Sequence, residues 1–201
     1  MEDVPKIVDR SARRTEIVDA YLTIVARDGT AAATSRAVAA ELGVATGALW
    51  HYFSGFDEVL LAAFQRMYDN TTTRIADGTA GLTGMAAVEV ALREMLPLDA
   101  TTQQEATVVV AFFGRVASQP ALGRVVTEVE DDWRSTLTGH LHEAIDAGEL
   151  RPGIPVADIV DTLLALVAAE QIEHVVRTSI GAPARQWTLV QHALAPYRVS
   201  R

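Results

Sequence analysis

Apolar residues recur at helical spacing along most of the chain, and no stretch sustains the period-two alternation of a half-buried strand. Between Ala12 and Asp28, Ile17, Tyr21, Ile24 and Val25 mark one face of a first helix, which Gly29 ends. Val38 and Leu42 mark a second helix, with Thr34 placed to cap it and Gly43 to reverse the chain. Leu49 and Tyr52 supply the buried face of a third. Ser54-Gly55-Phe56-Asp57 reads as a capping box opening a fourth, which carries Phe56, Val59, Leu60, Ala63, Phe64 and Met67 at helical spacing. The polar stretch from Thr71 to Gly84 holds the end of that helix. Further helices are predicted near 84–96, 102–118, 121–147, 156–179 and 184–195, separated by Pro97, Gly148, Pro152, Pro155, Gly181 and Pro183. The pattern predicts an all-α protein, with a three-helix domain over 1–55 and a helical bundle over 56–201.

The spacing from Thr34 to Phe53 is that of a helix-turn-helix. Gly43 accepts the positive φ of a tight reversal, Val44 plugs the corner, and Ala39 is small enough for two helices to touch. Thr46, Gly47, Ala48, Trp50 and His51 stay outward on the second motif helix, as a polar and aromatic strip of the size a DNA major groove accepts. Arg36 and Thr34 lie at the start of the first motif helix, Arg13 near the start of helix one, and Lys6 in a preceding arm that can follow the backbone or enter a minor groove. A plain helical hairpin explains each residue singly, but not their joint spacing.

The segment from Lys6 to about Met67 resembles the DNA-binding domain of the tetracycline-repressor (TetR) family of bacterial transcription regulators. The resemblance rests on Val38-Ala39, Gly43-Val44 and Gly47-Ala48-Leu49-Trp50-His51-Tyr52-Phe53. Within the family, PKIVDRSARRTEIVDA and SRAVAAELGVATGALWHYF look most like the choline-responsive repressors of betaine synthesis. The remainder resembles the family in its helical organisation and in the AGELRP turn before a long apolar helix. Many relatives carry serine and lysine at Ala45 and Thr46, threonine at Ala48, tyrosine at Trp50, and a phosphate-gripping lysine at Phe56. Groove entry survives these departures, but the operator sequence cannot be carried over.

The formal charge of −9 opposes DNA binding until its distribution is read. Residues 1–56 hold six basic and seven acidic residues, so −8 falls on the remainder. A nearly neutral head with an acidic body is expected to bind non-specific DNA weakly. The chain has no cysteine, no run of about 18 apolar residues and no basic-then-apolar leader, which points to the cytoplasm and away from membranes. His140, His142 and Glu143 do not form a metal motif, because residues two apart on a helix diverge. Without a zinc, phosphate-loop or nucleophile-elbow motif, neither catalytic residue nor cofactor is assigned.

The helix near 156–179 is apolar on most sides, which predicts packing both on its own bundle and on a second subunit. Ile159, Leu163, Val167, Trp187 and Leu194 are the expected dimer residues, and this helix pair resembles the one through which the family dimerises. Phe64, Tyr68, Phe112, Phe113 and Trp133, with the polar interruptions Glu170, Gln171 and His174, are candidate walls of an effector site. Aromatic rings beside carboxylates suit a quaternary ammonium ion. The expected function is a homodimeric, ligand-responsive repressor of a palindromic DNA operator. A DNA-binding regulator without an effector and a helical-bundle enzyme are the alternatives.

Overall fold

In the computed structural model, residues 9–199 are described, and they fold into two compact units that divide between Arg66 and Met67. The first unit holds α1 (Arg10–Asp28), α2 (Ser35–Glu41), a 3₁₀ helix (Thr46–His51) and the start of α3 (Phe56–Thr79). The division falls inside α3, so eleven further residues join the head beyond the expected limit of 55. Asp9 caps α1 by accepting from the amides of Ser11 and Ala12 at 2.9 and 3.3 Å. Ile17, Tyr21, Ile24, Val38, Ala39, Leu49, Phe53, Val59 and Ala63 are buried in the core of this unit. Burial pushes the Tyr21 phenol up to about 12.

The second unit contains the rest of α3, then α4 (Gly84–Met95), α5 (Ala100–Ser118), α6 (Gly123–Asp146), α7 (Val156–Val176) and α8 (Pro183–Leu194). A short 3₁₀ turn, Pro120–Leu122, joins α5 to α6, and another, Ala195–Tyr197, follows α8. No named strand occurs among the described residues. α3 runs to Thr79, inside the polar stretch expected to hold its end. Its threonines turn their hydroxyls back onto the helix, Thr71 to the Met67 carbonyl and Thr79 to that of Ile75, at 3.1 and 2.7 Å. Arg74 also ties α3 to Glu94 of α4 and Glu105 of α5, each at 2.7 Å.

Met95, Leu96, Leu137, Leu141, Ile159, Leu163, Val167, Val190 and Leu194 belong to one buried cluster in this unit. The AGELRP turn is structural. Leu150 is buried, and the Glu149 carboxylate accepts from the Met85 amide at 2.7 Å, satisfying a free donor at the start of α4. Glu143 accepts from the Gly84 amide at 3.1 Å, and is held below the usual carboxylate range first by His140 and then by that amide. α7 ends at Arg177 in the left-handed region, and the returning chain passes so close that a Cβ on Gly181 would lie 2.4 Å from the Glu173 carbonyl oxygen.

Candidate functional site

The helix-turn-helix forms as its spacing requires. Thr34 caps α2 by accepting from the Ala37 amide at 3.2 Å, and Gly43 takes a φ of +67°. The Val44 amide then reaches back to the Ala39 carbonyl at 2.9 Å, closing the corner. The second motif element is a 3₁₀ helix rather than an α-helix, with i→i+3 bonds from Ala48 to Ala45 and from Tyr52 to Leu49 at 2.9 and 3.0 Å. Six residues containing Gly47, a β-branched Thr46 and an aromatic Trp50 have little propensity to hold a regular α-helix. Leu49 and Phe53 are the anchors, while Tyr52, expected to share that role, is half-buried.

Opposite those anchors lies the expected strip. Trp50 is 41% exposed, His51 and Gly47 are exposed, and Thr46 and Ala48 are half-buried. Nothing stands within 4 Å of a Cβ built on Gly47, so the surface there is open. Arg36 is exposed on the first turn of α2. Arg13 pairs with Glu16 on its own helix, which offsets part of its charge. Lys6 lies outside the described residues. Phe56 packs edge-on against Tyr21, with ring centroids 5.9 Å apart, and so fastens α3 to α1.

The expected effector residues divide. Phe64 is buried in the first unit, while Tyr68, Phe112, Phe113, Trp133, Gln171 and His174 belong to the second. Tyr68 and Trp133 pack with centroids 5.8 Å apart, and the Tyr68 hydroxyl donates to Asp132 at 2.6 Å. Desolvation first, and that carboxylate second, push the Tyr68 phenol up to about 12. Phe112 is wholly buried, Phe113 and His174 are half-buried, and Gln171 donates its amide to the Met95 carbonyl at 2.8 Å. Gln171 therefore already serves the fold. Glu170, beside it, is only 2% exposed, and its Oε2 lacks a partner; Trp133 Nε1 and Gln186 Oε1 are likewise buried without one. Desolvation, reinforced by Glu173 and opposed by Arg185, raises the Glu170 carboxyl above its ordinary range.

The expected dimer residues need revision. Ile159, Leu163, Val167 and Leu194 are buried inside their own chain, and Trp187 is partly buried with the Arg93 guanidinium 3.8 Å from its ring centroid. They leave little surface for a second copy. The apolar side chains that do face outward are Ile172 at 45% and Val176 at 64% exposure on the last turns of α7, with Ile180 in the following loop. No described helix is long and apolar enough to cross a membrane.

Comparison with known proteins places this geometry. Residues 17–63 match the model of bacterial regulatory proteins of the tetR family, and residues 84–196 match the C-terminal domain of BetI-type transcriptional repressors. The HTH-type transcriptional regulator PksA of Bacillus subtilis (strain 168) is 36% identical over 110 residues, 54% of each chain. The chain thus spans about half the length of the curated relative it matches. A Saccharomonospora viridis protein crystallised with choline shares the fold at a TM-score of 0.83 and 17% identity, over 95% of this chain and 100% of that one. A transcriptional regulator from Rhodococcus sp. Rha1 shares it at 0.76 and 23%, over 94% and 99%. A motif that turns Trp50 and His51 outward, a separate helical bundle and two family matches that divide along the same line lead to one assignment: the chain belongs to the TetR family of bacterial regulators, with a C-terminal domain of the BetI type.

Proposed function

We propose that this chain is a transcriptional repressor that binds a palindromic operator as a homodimer and is released from it by a small molecule. The observation that carries the reading is the exposure of Trp50 and His51 on a segment whose opposite face, Leu49 and Phe53, is fixed in the core. Anchored on one side and open on the other, the segment can present side chains to base edges in a major groove. Arg36 serves a phosphate, Thr34 and Arg13 flank it, and Thr46, Gly47 and Ala48 allow close approach of the backbone. The dimer forms through the outward side of α7, where Ile172 and Val176 expose apolar surface. Two heads on one face of DNA then need half-site centres about 34–36 Å apart, or a multiple of that.

The effector is an organic cation bound in the second unit. The Tyr68–Trp133 pair and the Glu170 carboxylate, whose Oε2 is buried without a partner, are groups that favour positive charge, and the choline complex of the Saccharomonospora viridis protein supports the same chemistry. α3 belongs to both units, so it is the continuous route from effector to head. An effector preferring the released state by about 3 kcal/mol lowers operator occupancy roughly a hundredfold, and linkage requires DNA to weaken the effector equally. Choline is the first probe. Isothermal titration of choline into the full chain, with and without a duplex selected by that chain, should give a lower affinity with DNA present. Equal affinities would refute the switch.

A further inference from the structure

A helix of six residues cannot secure its own last carbonyls. At the end of the recognition segment, the Tyr52 carbonyl accepts from Arg14 Nη1 at 2.5 Å. The same nitrogen donates to Glu58 Oε1 at 2.8 Å, and the guanidinium lies 4.0 Å from the centroid of the buried Phe53 ring. Glu58 Oε2 in turn accepts from the Ser54 amide at 2.7 Å and from its hydroxyl at 2.9 Å. A continuous polar chain therefore runs from Tyr52 through Arg14 and Glu58 to Ser54. It fastens the end of the recognition segment to α1 and to the first turn of α3. The carboxylate that reaches back is Glu58, not the Asp57 that the sequence pattern suggests. It is held below its usual range chiefly by the Ser54 amide, with Arg14 adding to the effect.

We propose that Arg14 is a positioning residue for DNA recognition, setting the direction in which Trp50 and His51 leave the head without contacting DNA itself. Both protons of Nη1 are committed to protein acceptors, and the charge is matched by Glu58. Carbonyl, carboxylate and aromatic ring together fix the guanidinium, a geometry that lysine, a compact point charge, cannot reproduce. Arg14 thus differs from Arg36, which is exposed and makes no ion pair among the described residues. The inference rests on DNA reading by the exposed strip, and one of its tests needs no DNA.

The DNA-binding test uses the full chain with two duplexes, one selected by the wild-type chain from a random pool and one unrelated duplex of equal length. Arg14→Gln should bind the selected duplex about tenfold more weakly, the scale expected for losing hydrogen bonds to a charged group. Its affinity for the unrelated duplex and its salt slope should stay at wild-type values. Arg14→Lys, which keeps the charge, should not restore selected binding. A slope lower by about one, with equal loss on both duplexes, would make Arg14 a phosphate contact and overturn the proposal. Rescue by lysine would overturn it too. Should Arg14→Gln fail to fold, Glu58→Gln breaks the same chain and should also lose about tenfold on the selected duplex alone; unchanged binding would contradict the proposal. In the free protein, hydrogen exchange at residues 46–53 should be faster in either variant while α2 keeps its protection. Unchanged exchange there would refute the positioning role even if no selected duplex were found.

Discussion

The two units differ in how fully their polar groups are paired. In the first, Tyr52, Arg14, Glu58 and Ser54 satisfy one another at 2.5–2.9 Å, and among the described residues no buried side-chain polar atom lacks a partner. In the second, Trp133 Nε1, Glu170 Oε2 and Gln186 Oε1 are all left without one. Each such atom costs about 1–3 kcal/mol of stability. The contrast fits the division of labour proposed above, in which the head holds one surface in one place and the body binds the effector.

The strongest way to break this comparison is to damage each core separately. Phe53→Ala and Phe112→Ala each remove a buried ring and should each cost about 3–5 kcal/mol. If the cores are independent, hydrogen exchange will show Phe53→Ala loosening α1 and α2 while α4 to α8 keep their protection, with Phe112→Ala doing the reverse. Uniform loss in either variant would merge the two units into one. The next effect concerns α7. Ile172→Asp together with Val176→Asp should leave the fold intact and weaken dimerisation about thirtyfold or more, a loss of about 2 kcal/mol readable by sedimentation. Unchanged dimer affinity in the double variant would move the interface elsewhere.

The expected and observed faces of α7 show where sequence reading reaches its limit. Val38, Ala39, Gly43 and Leu49 lie close together in the chain, and their spacing alone defines the motif that the structure contains. Along α7, apolar residues occur on nearly every side, so periodicity cannot separate Leu163, which its own chain buries, from Val176, which it leaves outside. Length and glycine content favour a 3₁₀ recognition segment, but helical spacing does not distinguish it from a short α-helix. No local pattern marks Arg14 as a positioning residue, because its partners lie 38 and 44 positions away. Beyond Met67, back-bonded threonine hydroxyls and the Arg74 ion pairs carry α3 into the polar stretch as far as Thr79.

Smaller effects sharpen the contrast. Trp50→Ala and His51→Ala should each weaken the selected duplex by about 1–3 kcal/mol and relax its sequence preference, whereas Arg36→Ala should weaken all duplexes alike and lower the salt slope by about one. Competition binding at several salt concentrations separates the two classes. In the body, the raised Glu170 carboxyl means that the folded chain keeps a proton the unfolded chain loses. Stability therefore falls as pH rises from the unfolded value toward the folded one, and no penalty remains below the unfolded value. Glu170→Gln, which cannot ionise, should remove this fall, so thermal midpoints of variant and wild type should separate in the variant's favour above the ordinary carboxylate range and converge in acid. Parallel midpoint curves would mean that Glu170 is solvated as readily as a surface carboxylate.

The central claim, that an anchored and outward-facing strip reads DNA for a paired molecule, is tested most directly by duplex selection. The full wild-type chain and a Trp50→Ala, His51→Ala double variant are each offered a random pool, and the retained duplexes are sequenced. The wild type should enrich an inverted repeat with half-site centres about 34–36 Å apart, or a multiple of that, and the double variant should lose the enrichment while remaining folded. Enrichment of the same repeat by both proteins, or of none by the wild type, would contradict it.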